Sequence, residues 1–279
     1  MQTKHVCPRP PLFQALGSQA PPERIEIDGV PHELRRVLKH DSWAATALYA
    51  GAGQVVCKFN RIQPVFGVPM QWLGKFLARR ELRLLRLFHD LPNVPRALGH
   101  VTAGGARCPT AVAREFIAGH PLGKYELVSD EFFPSLERLL VEVHQRDVAY
   151  ADLQKHENII VGDDGRPYLV DFQISFAPPR NWFGRLLPFR RILRLLQNSD
   201  RYHVRKHFAR CRPDLFADRF QTPAAVPPWW IRTHRRIFRP FTLLRRRILI
   251  LAGVRSSAGR ADSEWFPEDA HRPQNAATR

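Results

Sequence analysis

With 279 residues, 44% hydrophobic and 25% charged, the chain has the composition and length of a globular protein with a sizeable core, which excludes wholesale disorder. Its four cysteines, at positions 7, 57, 108 and 211, form no CxxC and no metal-ligand spacing, so they read as free thiols of a reducing compartment. The net charge of +17 is unevenly placed: residues 1–178 carry 21 Lys and Arg against 19 Asp and Glu, and residues 179–279 carry 22 against 7, which calls for an anionic partner at the basic end.

Residues 1–20 are rich in Pro and Ala without periodicity and are expected to form a flexible tail with no signal-peptide pattern. Arg24 to Asp28 alternates as a strand does, and His32 to Lys39 predicts a second one. Ala45 to Ala50, a turn at Gly51-Ala-Gly53, and Gln54 to Asn60 predict a hairpin. Met70 to His89 has helical periodicity, with Trp72, Phe76, Leu82, Leu85 and Phe88 among its apolar positions. Ala97 to Thr102, the Gly104-Gly105 turn and Thr110 to Phe116 predict a further hairpin, running into Glu115 to Leu122. Ser129 to Arg146 predicts a helix with Asp130 and Glu131 near its N-terminus, where the macrodipole favours acids.

Val148 to Ser175 carries the chemistry. Asn158 to Val161 is an apolar run, Gly162-Asp-Asp-Gly165 is turn chemistry, and Tyr168 to Val170 is a second β-rich run. The hairpin this predicts has Asp152 and Asn158 just before it and Asp171 just after it. Two carboxylates and a carboxamide at one hairpin end suit Mg²⁺, which takes a few protein oxygens and leaves its other positions to water and phosphates.

Asp152-Leu-x-x-x-x-Asn158 followed by Leu169-Val-Asp-Phe172 resembles the catalytic loop and metal-binding Asp-Phe-Gly of the protein-kinase-like fold. Without an activation loop or an Ala-Pro-Glu sequence, it is most similar to the small atypical class: RIO-type, aminoglycoside-phosphotransferase-like and bacterial lipopolysaccharide (Kdo and heptose) kinases. The resemblance covers about residues 30–178. It implies an α+β, bilobal protein-kinase-like fold, with a small antiparallel-sheet N-lobe over 21–117 and a mainly helical C-lobe over 118–253.

By that resemblance, ATP and Mg are the cofactors. Asp152 would orient the acceptor hydroxyl and take its proton, and Asn158 and Asp171 would hold the metal. Lys58, in the strand Val55 to Asn60, would neutralise the α and β phosphates. Glu81, the only acid between Asp41 and Asp90, would position it. Lys155 would reach the γ-phosphate or the substrate. Backbone groups from Glu115 to Ile117 would face the adenine. The chain departs from the pattern in four places. Tyr150 stands where the family has His, six positions rather than five separate Asp152 from Asn158, and Gln173 replaces the Gly of Asp-Phe-Gly. No Gly-rich loop precedes Lys58; the turn Lys39 to Ala44 would offer backbone N–H groups and the Ser42 hydroxyl instead.

Beyond residue 179, Arg185 to Leu196, Asp200 to Arg210 and a helix from Pro227, kinked at Pro240, have helical apolar spacing with Arg on the other side. These basic helices predict contact with an anionic glycolipid or membrane surface. No nucleic-acid recognition module is visible. The longest late apolar run, Ile248 to Val254, is too short to span a bilayer, and 254–279 is polar and expected to be disordered. The expected protein is a cytoplasmic kinase, peripheral on the inner membrane face, with a lipopolysaccharide-core sugar as acceptor. The alternatives are a RIO-like serine/threonine protein kinase and a non-catalytic pseudokinase scaffold.

Overall fold

The computed structural model describes residues 10–65, 67–179, 181–182, 186–222, 226–233 and 236. The described residues fall into two compact units: one holds residues up to Leu87 with Arg96–Phe116, the other Phe88–Pro95 with 117–236. The class is α+β, with an antiparallel-sheet unit and a mainly helical unit.

The first unit is built on β1 (Arg24–Ile27), β2 (Val30–His40), β3 (Ala44–Ala50), β4 (Gln54–Asn60), β5 (Val101–Ala103), β6 (Ala106–Arg107) and β7 (Ala111–Glu115), in the order β6-β5-β1-β2-β3-β4-β7. Two-residue periodicity sends Ile25, Ile27, Ala45, Ala47, Tyr49, Val55, Cys57 and Phe59 into one core. Leu38, Leu48 and Val56 form a second cluster. β2 shifts register between Leu34 and Arg36 and again between Val37 and Lys39, which bends the strand. Helix α1 (Gln71–Leu87) belongs to the same unit and buries Gly74, Ala78, Glu81, Leu84 and Leu85, spaced by one to four residues. At Gly74 an added Cβ would stand 2.3 Å from the Arg61 carbonyl oxygen, so only glycine lets the helix come this close.

The sheet bears on two expectations. The hairpin turn at Gly104-Gly105 joins β5 to the two-residue β6; of the predicted pairing with Thr110 to Phe116 the antiparallel bridge Ala97–Arg114 is present, while the ladder of β7 is with β4. Gly104 and Gly105 both have positive φ, as a tight two-residue hairpin loop requires, so the chain turns back at once. Ala111–Glu115 alternates between two covered faces and takes the equally covered β4 as neighbour. The tail expected over 1–20 has ordered backbone contacts where it is described. Pro11–Phe13 forms a 3₁₀ turn, Ala15 and Leu16 are buried, and the Ala15 N–H donates to the Asp41 carbonyl at 2.7 Å. Residues 1–9 lie outside the described residues.

The second unit carries a three-stranded sheet in the order β10-β9-β8, formed by β8 (Gly119–Pro121), β9 (Ile159–Gly162) and β10 (Pro167–Leu169). Gly119 has φ +151°, and a Cβ there would meet the Val161 carbonyl at 2.3 Å, which explains glycine at this crossing. The helices are α2 (Phe132–Gln145), α3 (Leu187–Cys211) and α4 (Pro213–Phe220). They meet around aromatic rings, with Phe133 stacked on Phe208 at 4.7 Å between centroids and Phe216 edge-on to Phe208 at 5.6 Å.

Two helices were expected across Arg185 to Leu196 and Asp200 to Arg210; α3 is one helix of 25 residues. No Pro or Gly interrupts it after Pro188, and Leu193, Asp200, Val204, His207, Phe208 and Cys211 continue one buried stripe. Of the kinked helix expected from Pro227, residues 229–233 and 236 are helical. Its remainder, with Pro240 and Arg239, and the expected tail 254–279 lie outside the described residues. Among the described residues no helix is long and apolar enough to cross a membrane.

Candidate active site

In the sheet unit, β4 lies between β3 and β7, and Lys58 stands opposite Thr46 on one side and Val112 on the other. A central strand fixes its side chains firmly, and Lys58 Nζ reaches the Glu81 carboxylate of α1 at 3.2 and 3.4 Å. Their side chains are 13% and 4% exposed, so this is not a solvated surface pair: each charge depends on the other for solvation.

The turn before β3 is closed on itself. Asp41 Oδ1 accepts the N–H groups of Trp43 and Ala44 at 2.7 and 2.9 Å, and the Ser42 hydroxyl donates to the Phe13 carbonyl at 3.2 Å. Burial would raise the Asp41 pKa, but the Lys39 charge and those two donors hold it below the usual carboxylate value. Arg61, fully buried, locks the turn by donating to the carbonyls of Ser42, Leu12 and Gln63 at 2.6, 2.9 and 2.8 Å. The Ser42 hydroxyl, expected to face a phosphate, donates to a protein carbonyl here, and the N–H groups of Trp43 and Ala44 donate to the Asp41 carboxylate. Glu115 is likewise engaged. Its N–H donates to the Arg96 carbonyl at 2.9 Å, its own carbonyl accepts from Arg114 at 3.1 Å, and its carboxylate pairs with Arg96 at 3.3 Å.

In the helical unit, Asp152, Lys155 and Asn158 come together. Asn158 is expected six positions after Asp152, one more than usual, and two consecutive i to i+3 turns take up the interval. The Lys155 N–H donates to the Asp152 carbonyl at 3.2 Å and the Asn158 N–H to the Lys155 carbonyl at 3.3 Å. Asn158 Nδ2 then donates to Asp152 Oδ2 at 2.9 Å and to the Asp152 carbonyl at 3.3 Å, both acceptors, which fixes the amide orientation. Lys155 Nζ lies 2.6 Å from the same Oδ2 while its side chain is 55% exposed. Asp152 Oδ1 is buried and has no hydrogen-bond partner among the described residues. A buried carboxylate oxygen with unused acceptor capacity costs stability and suits an incoming hydroxyl proton.

Ile117 is buried against Ile160 and Val170, and Asp171 follows at the end of the hairpin. Asp171 has φ +62° and Ala151 has φ +66°, a left-handed backbone that non-glycine residues adopt at a cost of about 1–3 kcal/mol. Both are held by contacts that the sequence reading missed. The Tyr150 hydroxyl donates to the Val170 carbonyl. Ser175 Oγ donates to the Tyr150 carbonyl at 2.9 Å. From α3, the Asp200 carboxylate accepts the N–H groups of Tyr150 and Ala151 at 2.7 and 2.8 Å. His207 Nε2–H donates to the Leu153 carbonyl at 2.8 Å, and His156 Nδ1–H to the Leu122 carbonyl at 2.6 Å.

The donor set fits a magnesium ion that shares its coordination with phosphates. Among the described residues no group of three or more His, Cys, Asp or Glu is placed to hold a metal unaided. With its Nδ2 committed to Asp152, Asn158 would offer its amide oxygen as a hard ligand to such an ion, and Asp171 would offer its carboxylate.

No protein-family model and no curated protein matches the chain. Among solved structures it is similar to Rio2 kinase from Chaetomium thermophilum as an ADP/Mg²⁺-phosphoaspartate complex, with 14% identity over 70% of this chain and 59% of that one, at a TM-score of 0.46. Rio2 kinase of the same organism in a second structure gives 14% identity over 78% and 61%, at a TM-score of 0.45, so the chain spans about three fifths of the length of these structures.

Proposed function

We propose that the chain is an ATP- and Mg-dependent phosphotransferase that moves the γ-phosphate to a hydroxyl group. The observation that carries this reading is the buried Oδ1 of Asp152, without a hydrogen-bond partner among the described residues, beside an Asn158 whose amide is oriented by the same carboxylate. In this reading Asp152 orients the acceptor hydroxyl and takes its proton, while Asn158 and Asp171 hold magnesium. The metal, when bound, neutralises phosphate charge. Lys58, held by Glu81, does the same for the α and β phosphates. Lys155 fixes the Asp152 carboxylate from its open side, and its exposed stem leaves it free to meet the transferred group.

For the acceptor we favour an anionic glycolipid, such as a lipopolysaccharide-core sugar, met by the enzyme at the inner face of a membrane. The first half of α3 and the segment before it support this. Trp182, Leu187, Ile192 and Leu195 are exposed there beside the exposed Arg190, Arg191 and Arg194. Such a face suits a headgroup boundary. The closed Asp41 turn favours a second reading, a scaffold that does not turn over nucleotide, since no free N–H group of Trp43 or Ala44 is left to cradle a phosphate.

A transfer assay with radiolabelled ATP over lipid, sugar and protein acceptors separates these. Label transfer that is lost in Asp152→Ala and Asp171→Ala supports the enzyme. Label on a protein acceptor alone moves the acceptor class to that of a protein kinase. Failure to bind Mg-ATP leaves the scaffold reading.

A further inference from the structure

Helix α1 leaves one face uncovered. Gly74, Ala78, Glu81, Leu84 and Leu85 are buried on one side, while on the other Trp72, Phe76, Arg79, Arg83 and Arg86 are exposed at steps of four and three. Trp72 is 63% and Phe76 51% exposed, so two large rings on successive turns stand in water. Further along the same stripe, Arg79 and Arg83 make no ion pair among the described residues. The helix has no acid to offer them, since its only one, Glu81, is buried and paired with Lys58. The aromatic and basic positions follow one another along one side of the helix. A helix lying in a lipid interface instead divides apolar and basic residues between two sides, so the arrangement suits a peptide that carries rings and acids in succession.

The chain carries such a sequence. Of the seven acids beyond residue 179, four fall within 262–269, as Asp262, Glu264, Glu268 and Asp269, with Trp265 and Phe266 between them and no Lys or Arg in the run. We infer that the exposed face of α1 is a docking surface for residues 262–269 of its own chain. Trp265 and Phe266 meet Trp72 and Phe76, and Glu268 and Asp269 meet Arg79 and Arg83. The spans agree: three extended residues cover about 10 Å, as from Phe266 to Asp269, and the seven helical positions from Phe76 to Arg83 cover about 10 Å as well. Pro267 biases Phe266 toward the extended backbone this requires. From Arg236, where the described residues end, Asp262 is 262 − 236 = 26 positions on, up to about 90 Å of extended chain, which exceeds the size of a protein of this length. The inference does not depend on the phosphotransferase reading.

The test replaces Phe76 with photoreactive benzoylphenylalanine in the full chain, irradiates it, and identifies the adducts by mass spectrometry after trypsin. The main adduct should be the peptide that follows Arg260, joined within one chain. Arg79→Glu together with Arg83→Glu should lower its yield about ten-fold with the melting temperature unchanged, since several exposed ion pairs are lost at once. Adding Glu268→Arg and Asp269→Arg to that variant should restore the yield, which a merely damaged helix would not allow. Adducts confined to other segments, or adducts between two copies, would overturn the assignment. So would adducts to lipid and none to that peptide when phosphatidylglycerol vesicles are present, a yield that charge reversal leaves unchanged, or one that the charge swap does not restore.

Discussion

Asp200 Oδ1 accepts the Ala151 backbone N–H at 2.8 Å, and Ala151, next to Asp152, has the left-handed φ of +66°. A fully buried carboxylate on α3 therefore sets the backbone from which Asp152 projects. It does so with a second bond to the Tyr150 N–H at 2.7 Å and a third from His144 at 3.1 Å. Asp200→Asn keeps the volume but presents an NH₂ group to at least one backbone donor. Urea unfolding should show a loss of about 2–4 kcal/mol, because charge-assisted bonds are replaced by an unsatisfied donor. Phosphoryl transfer, measured where the variant is still folded, should fall further than stability alone accounts for. A variant with full activity would show that this bond does not position Asp152.

Glu81→Gln tests the pair in the sheet unit. It leaves the Lys58 ammonium, 13% exposed, without its carboxylate. Stability should fall by about 1–3 kcal/mol. Transfer should fall by about 100-fold, the scale on which a charge aimed at phosphate contributes. A Lys58→Met, Glu81→Gln double variant should be no worse in transfer than Lys58→Met alone, since Glu81 acts through the lysine. Additive losses would separate the two residues.

Much of this architecture is legible locally. β1 to β4, β9 and β10 announce themselves by two-residue alternation and turn chemistry, and α1 and α2 by apolar positions three and four apart. What escapes local reading depends on distant partners. β7 could be seen as a strand, but its pairing with β4 is set by matching two-sided burial across some fifty residues of chain. β8 has only three residues, one of them Pro121, and exists because β9 offers it an edge. The bonds of Asp41 to the Trp43 and Ala44 N–H groups are side-chain geometry that no spacing rule encodes. Asp200 did leave a signal, being the only acid between Asp171 and Asp214 in a run studded with arginine. An isolated acid on the apolar stripe of a basic helix has to have a partner, and here the partners are backbone N–H groups 50 and 49 residues earlier.

Tyr150→Phe removes the hydroxyl that meets the Val170 carbonyl and leaves the ring packed edge-on to Phe172 at 5.1 Å. The carbonyl just before the left-handed Asp171 then loses its donor in a fully buried place. The expected cost is about 1–3 kcal/mol in thermal or urea unfolding, since an unmet buried acceptor is dearer than the bond it lost. Because Asp171 is the residue released, the magnesium concentration for half-maximal transfer should rise while the ATP KM at saturating magnesium changes little. An unchanged magnesium dependence would show that the Tyr150 bond is purely structural.

His207 gives the helical unit a pH-dependent stability. Burial pushes its pKa down from 6.5 to about 4, with the nearby His156, Lys206 and Arg210 adding to the effect and the bond to the Leu153 carbonyl opposing it. The ring is thus neutral in the folded protein at pH values where the unfolded chain binds a proton. Between about pH 6.5 and pH 4 the unfolded state carries more protons, so stability rises with pH through that window. The contribution is fully present above pH 6.5 and is lost as the pH falls toward 4. At pH 5 the loss relative to pH 7.5 should be about 2 kcal/mol from this residue. His207→Gln keeps a donor for the Leu153 carbonyl and cannot titrate. Its urea-unfolding free energy should therefore be flatter than that of the parent chain between pH 7.5 and 5 by that amount. Equal slopes in the two proteins would place the acid sensitivity on another group.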